Sequence, residues 1–214
     1  APSPVAVIVG NNHKSWHKFS LTEQRWSTPL GVLEPDVALV RELREAGYPL
    51  HPAAHADEHS IENQLPFLQA VRPDTRIAPV GVGAVSLEEA ERLAEVIATL
   101  VTRHGAMLLG TTDFSHEGPS YGGPAMPMAE VTAVTREKDR PLLDTVLRMD
   151  AGELLRLGAS SSMCGAGAAA VLLLACGRLG LTSCELLRYL VNTEVTPCGS
   201  TTGFASFAFR RPRP

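Results

Sequence analysis

The run Val5-Ala6-Val7-Ile8-Val9 is apolar at every position, mostly β-branched, and closes on Gly10-Asn11-Asn12. A strand with no polar alternation reads as an interior strand, and the Gly-Asn-Asn that follows reads as a tight turn. A second run, Ala106-Met107-Leu108-Leu109-Gly110, leads straight into Thr111-Thr112-Asp113-Phe114-Ser115-His116. It too reads as a buried strand, and it delivers a carboxylate and an imidazole three residues apart at its end. In open α/β sheets chemistry gathers beyond the carboxyl ends of the strands, which makes Asp113 and His116 candidate working residues.

Between and after these runs the spacing predicts helices. Asp36 to Ala46 is helical with Gly47 as its stop, and Ser86 to His104 opens on a capping box formed by Ser86 and Glu89. Leu87, Ala90, Leu93, Ala94, Ile97, Leu100 and Val101 give the second helix an apolar face at helical spacing. Ile77 to Val82 reads as a strand weakened by Pro79. A Gly/Pro-rich connection from Glu117 to Pro127 precedes helical segments at about 138–149 and 150–157, and then a small-residue helix, Met163 to Arg178. Leu186–Val191 and Phe204–Phe209 read as closing strands. Strands alternating with helices, with no internal repeat and no linker, predict one α/β domain spanning 1–214: a central β-sheet flanked by helices.

Bulk properties exclude several classes of function. A formal net charge of −4 leaves no footprint for nucleic acid, and the only basic cluster, Arg210-Arg211-Pro212-Arg213, reads as a solvated tail. The longest apolar stretch, Ala166 to Cys176, falls short of the roughly 20 residues that span a bilayer. Four cysteines without Cys-x-x-Cys spacing suggest reduced thiols, and a cytoplasmic setting is the expectation. No phosphate-cradling glycine loop, Walker loop or Gly-x-Ser-x-Gly elbow is present.

Four sets of polar residues carry candidate chemistry. His13 follows the first strand directly, where a Gly-Asn turn presents its imidazole at the sheet's end. Asp113 can orient His116 and raise its basicity. Cys164, in Ser160-Ser161-Ser162-Met163-Cys164-Gly165, falls at the predicted start of the small-residue helix, a position that favours thiolate. Glu58 and His59 belong to the polar block Asp57-Glu58-His59-Ser60-Ile61-Glu62 and are placed to support a site through hydrogen bonds. His51 and His55, at four-residue spacing with His59, read as a surface loop because Pro52 interrupts any helix. Each candidate has a plainer alternative: a turn histidine, a capping aspartate, a buried cysteine.

Together, Gly10-Asn11-Asn12-His13, the Asp57 to Glu62 block with Leu65-Pro66-Phe67, Thr112-Asp113-Phe114-Ser115-His116 and Met163-Cys164-Gly165 resemble the Memo family (mediator of ErbB2-driven cell motility). Its prokaryotic members are known as AmmeMemoRadiSam system protein B. The resemblance runs from about Val5 to Phe209. It implies a fold similar to the class III extradiol ring-cleaving dioxygenases (LigB-like) and a mononuclear non-haem site for an iron or copper ion. By motif it places His13 and Cys164 as metal ligands and Asp113 and His116 as acid/base groups facing the metal. A cysteine and histidine set suits a soft or borderline, redox-active ion. The family's first histidine ligand lies in a Pro-His-Ala-Gly-Tyr-like segment well upstream of the position matching His13. Only twelve residues precede His13 here, so this chain is expected to lack that N-terminal segment and one ligand.

The leading expectation is a metal-dependent oxidoreductase. A second is a non-catalytic module of the same fold that binds a peptide or small aromatic ligand, or a protein partner. A third is a metal-free hydrolase using Cys164 or Ser115 with His116.

Overall fold

The computed structural model describes residues 5–212. The Val5–Asn11 strand (β1) is buried along its whole length. Period-two alternation divides its side chains between two cores: Val5, Val7 and Val9 join the larger cluster, and Ala6 and Ile8 the smaller. Next come a short strand, Phe19–Leu21 (β2), a hairpin, Trp26–Thr28 and Gly31–Leu33 (β3 and β4), and the helix Val37–Glu45 (α1). Asp36 accepts from the backbone N–H of Leu39 and so caps α1.

Two short helices, His59–Glu62 (α2) and Leu65–Val71 (α3), lead into the strand Arg76–Val82 (β5). The predicted capping box holds the helix Leu87–His104 (α4), which Gly105 ends in the left-handed conformation. The strand Met107–Thr111 (β6) follows, then a two-residue strand, His116–Glu117 (β7). Helices Met128–Leu147 (α5), Ala151–Gly158 (α6) and Ala166–Arg178 (α7) precede the long strands Ser183–Val191 (β8) and Thr201–Arg210 (β9).

The central sheet has the order β2-β5-β1-β6, with β5, β1 and β6 parallel and β2 antiparallel on β5. Residues of α1, α4 and α7 fill the larger core on one face, while Ile61 of α2 and Leu65 and Leu68 of α3 fill the smaller core on the other. A second, antiparallel sheet, β7-β9-β8, packs against α5. The chain is thus the expected α/β domain with a central sheet between helices.

Pro79 lies inside β5 without breaking it. Ile77 donates its N–H to Glu34 and accepts from Asp36 on the flank away from β1. Two residues on, the proline nitrogen faces that same flank, and β2 pairs only with Val80 to Val82. No ladder bond to β1 is lost.

Two helix starts and the burial of one histidine differ from the expectations. α5 starts at Met128, about ten residues before the predicted 138, because its first half buries only Val131 and Thr135 and so shows no apolar stripe. α7 starts at Ala166 rather than Met163. Gly165, at φ 72°, is its N-cap, so Cys164 lies just outside the helix instead of in its first turn. His55 is not on a surface loop: it is 5% exposed and its ring lies edge-on to Trp26.

Candidate metal centre

β1 and β6 are parallel neighbours in register, Gly10 opposite Thr111, so the residues that follow them emerge at one rim of the sheet. His13 leaves from the first, Asp113 and His116 from the second. The Cys164 segment reaches the same rim because Gly165 has no side chain: a Cβ there would stand 2.5 Å from Thr112 Oγ1 and 3.1 Å from Asn11 Cβ. Thr112 Oγ1 donates to the Cys164 carbonyl and ties the segment to the end of β6. Asn11, His13, His59, Asp113 and Cys164 all line one cavity of about 30 Å³. That is room for a single small ion or water.

Glu58 fixes the first histidine. Gly10 lets α2 lie against β1, since a Cβ would meet Ile61 at 2.5 Å, and Ser60 Oγ donates to the Asn11 carbonyl at 2.9 Å. The Glu58 carboxylate, only 2% exposed, accepts from the backbone N–H of His13 at 2.6 Å and of Ser60 at 2.9 Å. It also stands 2.9 Å and 3.1 Å from His13 Nδ1. An ionised carboxylate can only accept, so Nδ1 donates to Glu58 and Nε2 is the nitrogen turned away from it. The Cys164 side chain and then Glu58 hold the imidazole's protonated form, raising its pKa to about 10. Burial would push Glu58 up, but hydrogen bonds from His13 and Ser60 and the nearby imidazole bring it down to about 2.

The second histidine is held differently. His116 Nδ1 lies 2.9 Å from the Ser162 carbonyl, so this nitrogen too is the donor. Nε2 lies 3.7 Å from Asp113 Oδ2. The aspartate raises the pKa of His116, burial opposes it, and the Ser162 carbonyl adds to the rise. Tyr121 closes one side of the ring, edge to face at 4.7 Å.

Two donor clusters result. One is His13, Glu58 and His59, the other Asp113, His116 and Cys164, and within each the donor atoms lie within 4.8 Å of one another. The side-chain contact between His13 and Cys164 joins them. His59 stacks on His13 with ring centroids 4.8 Å apart. The six predicted residues therefore converge, although Glu58 already spends its carboxylate on three donors from His13 and Ser60. Ser115 does not join them. It is fully buried with no partner for its hydroxyl, so the serine version of the hydrolase reading has no accessible nucleophile.

Two residues the sequence reasoning missed hold the Asp113–His116 segment. Asp139 of α5 is fully buried, accepting from the Ser115 backbone N–H and from the Tyr189 hydroxyl, each at 2.8 Å. Glu117 accepts from Ser162 Oγ and Lys138, and Ser162 Oγ accepts in turn from the His116 backbone N–H. No sequence signal singles out Asp139, which stands in the charged run Arg136-Glu137-Lys138-Asp139-Arg140.

Fold and site together define an α/β protein with histidine, thiol and carboxylate donors gathered at the carboxyl rim of a largely parallel sheet. Sequence comparison is specific: residues 2–208 match the Memo-like protein family, and the chain belongs to it. A MEMO1 family protein of Methanosarcina barkeri is 32% identical over 207 residues, covering 94% of this chain and 74% of the relative. Another from Methanothermobacter thermautotrophicus is 33% identical over 214 residues, covering 95% and 72%. Among the described residues no helix is long and apolar enough to cross a membrane.

Proposed function

We propose that this chain holds a mononuclear iron or copper ion between His13 Nε2 and Cys164 Sγ and supports oxygen-dependent redox chemistry there. One observation carries the reading. Both imidazoles at the rim have Nδ1 engaged by fixed acceptors, Glu58 for His13 and the Ser162 carbonyl for His116. Each leaves Nε2 as the nitrogen that a metal would take in exchange for its proton, the arrangement by which outer partners orient metal-binding histidines. A mixed thiol, imidazole and carboxylate set fits a borderline, redox-active ion better than magnesium or calcium.

The chain's own residues divide the remaining work. Glu58 sets the tautomer and direction of His13 and compensates its charge when no cation is present. Burial of Glu58 keeps that carboxylate from being solvated away. Asp113 keeps the His116 imidazole basic, so His116 exchanges a proton at Nε2 with a ligand in the site. An ion held by His13 and Cys164 would supply electron transfer to or from a bound substrate. All four cysteines are free thiols, which suits a reducing compartment.

Anaerobic purification followed by metal analysis of the wild type and Cys164→Ser tests this. The wild type should carry iron or copper near one per chain and the variant far less. Equal, sub-stoichiometric amounts in both would remove the reading.

A further inference from the structure

We infer that His17 and His51 together form a binding site for a divalent transition-metal ion of the zinc, copper(II) or nickel class. The two rings lie face to face, with centroids 3.4 Å apart and planes 7° from parallel. They belong to neither donor cluster at the rim. No ring nitrogen of either histidine has a hydrogen-bond partner among the described residues. Two adjacent imidazoles therefore offer nitrogens that nothing else in the fold uses.

Backbone bonds bring the pair together. Leu21 of β2 donates its N–H to the Pro49 carbonyl and accepts from the His51 N–H, each at 3.0 Å, which pins His51 beside β2. The Asn12 side-chain amide donates to the His17 carbonyl at 2.8 Å, and the Gly83 N–H donates to the Lys18 carbonyl at 2.9 Å. Gly83 makes room for this approach, since a Cβ there would stand 2.9 Å from the His17 carbonyl oxygen. Ligand positions fixed in this way lose little freedom when an ion binds. The rings stay free to turn, His17 being exposed and His51 half-buried.

The donor set selects the ion. Two nitrogens held about 2.0–2.1 Å from one tetrahedral ion stand about 3.3 Å from each other, close to the spacing of the stack. Each ring has to turn about its Cβ–Cγ bond to aim a lone pair at the shared ion. Imidazoles without a carboxylate suit zinc, copper(II) and nickel, whereas magnesium and calcium take oxygen ligands. Burial, and then His17 beside it, holds His51 below the ordinary imidazole range, so its ring is neutral at neutral pH. Lys18, the cation next in sequence, is paired with Glu89 at 2.6 Å. With two protein ligands the other coordination positions fall to water, so the site takes up added ion reversibly.

His17 follows His13 by four residues, and His51 precedes Glu58 by seven. An ion between His17 and His51 staples the same two stretches of chain that the His13–Glu58 bonds join. Its binding restrains the loop that carries His13, whatever the rim itself holds.

Zinc chloride titrated into the metal-free chain tests this, with Cys164→Ser run in parallel to weaken binding at the rim. Histidine ring signals are followed by NMR and affinity by calorimetry. In Cys164→Ser, zinc should shift the ring signals of both His17 and His51. His17→Phe and His51→Phe, each made in that background, keep an aromatic ring in place and should weaken this binding by about tenfold or more. Zinc should also slow tryptic cleavage after Lys14 severalfold in Cys164→Ser, and not once His17→Phe is added. The inference is overturned if zinc leaves either ring unmoved or if cleavage after Lys14 is slowed equally with and without His17. It is equally overturned if binding withstands one or both phenylalanine substitutions, since the pair would then not act as one site.

Discussion

The two histidines at the rim are held by opposite means. His13 is clamped by a carboxylate that water scarcely touches, through its ring and its own backbone N–H. His116 leans on a backbone carbonyl, and its aspartate is 34% exposed and 3.7 Å away. A buried, doubly bonded partner fixes geometry. A looser, solvent-reached partner tunes basicity and leaves the ring free to exchange protons. The difference assigns His13 to holding and His116 to proton transfer.

The largest effect that can break this contrast is removal of the two carboxylates in turn. Glu58→Ala leaves buried donors from His13 and Ser60 without an acceptor and should destabilise the fold by about 3 kcal/mol. Asp113→Ala should change it by less than about 1 kcal/mol, since its ion pair is partly exposed. Urea unfolding of both variants measures the gap, and equal losses would erase the distinction.

Gly165→Ala comes next. The added Cβ would meet Thr112 and the backbone would stay at a φ of 72°, so a loss of about 2 kcal/mol is expected. Metal uptake should fall with it, because Cys164 can no longer approach the ends of β1 and β6. Stability loss with undiminished uptake would mean that Cys164 does not need this segment's path.

A smaller effect is the pH profile of the metal-free chain. The depressed pKa of Glu58 contributes stability present above its ordinary value near 4.5 and lost as pH falls toward about 2. The raised pKa of His13 contributes stability present below its ordinary value of 6.5 and lost as pH rises toward about 10. Stability from this pair should therefore peak between about 4.5 and 6.5 and decline on both sides. Glu58→Gln should flatten the profile, as thermal unfolding across pH would reveal.

The smallest is local. Asp113→Asn should lower the pKa of His116 toward the ordinary imidazole value and leave that of His13 unmoved, both followed by NMR of the ring protons. A shift at His13 as well would couple the two sites more tightly than their geometry allows.

Much of this arrangement was readable beforehand because the strands carrying it are strongly patterned. Val5 to Val9 and Ala106 to Gly110 are apolar without interruption, so their ends, and the residues just beyond, could be placed at a sheet rim. The capping box of α4 is a local hydrogen-bond signature and needs no tertiary context. The hairpin of β3 and β4 escaped notice because three-residue strands have no period to detect. His55 was misjudged since only tertiary packing against Trp26 buries it. Asp139 and Glu117 looked like ordinary charged residues of a solvated surface. Their roles depend on the Ser115, Ser162 and Tyr189 groups brought from other elements.

X-ray absorption at the metal edge of the anaerobically purified chain tests the central claim most directly. The account predicts one sulfur scatterer beside imidazole nitrogen, with the sulfur lost in Cys164→Ser and the imidazole contribution reduced in His13→Ala. A metal surrounded only by oxygen and nitrogen, unchanged in both variants, would contradict it.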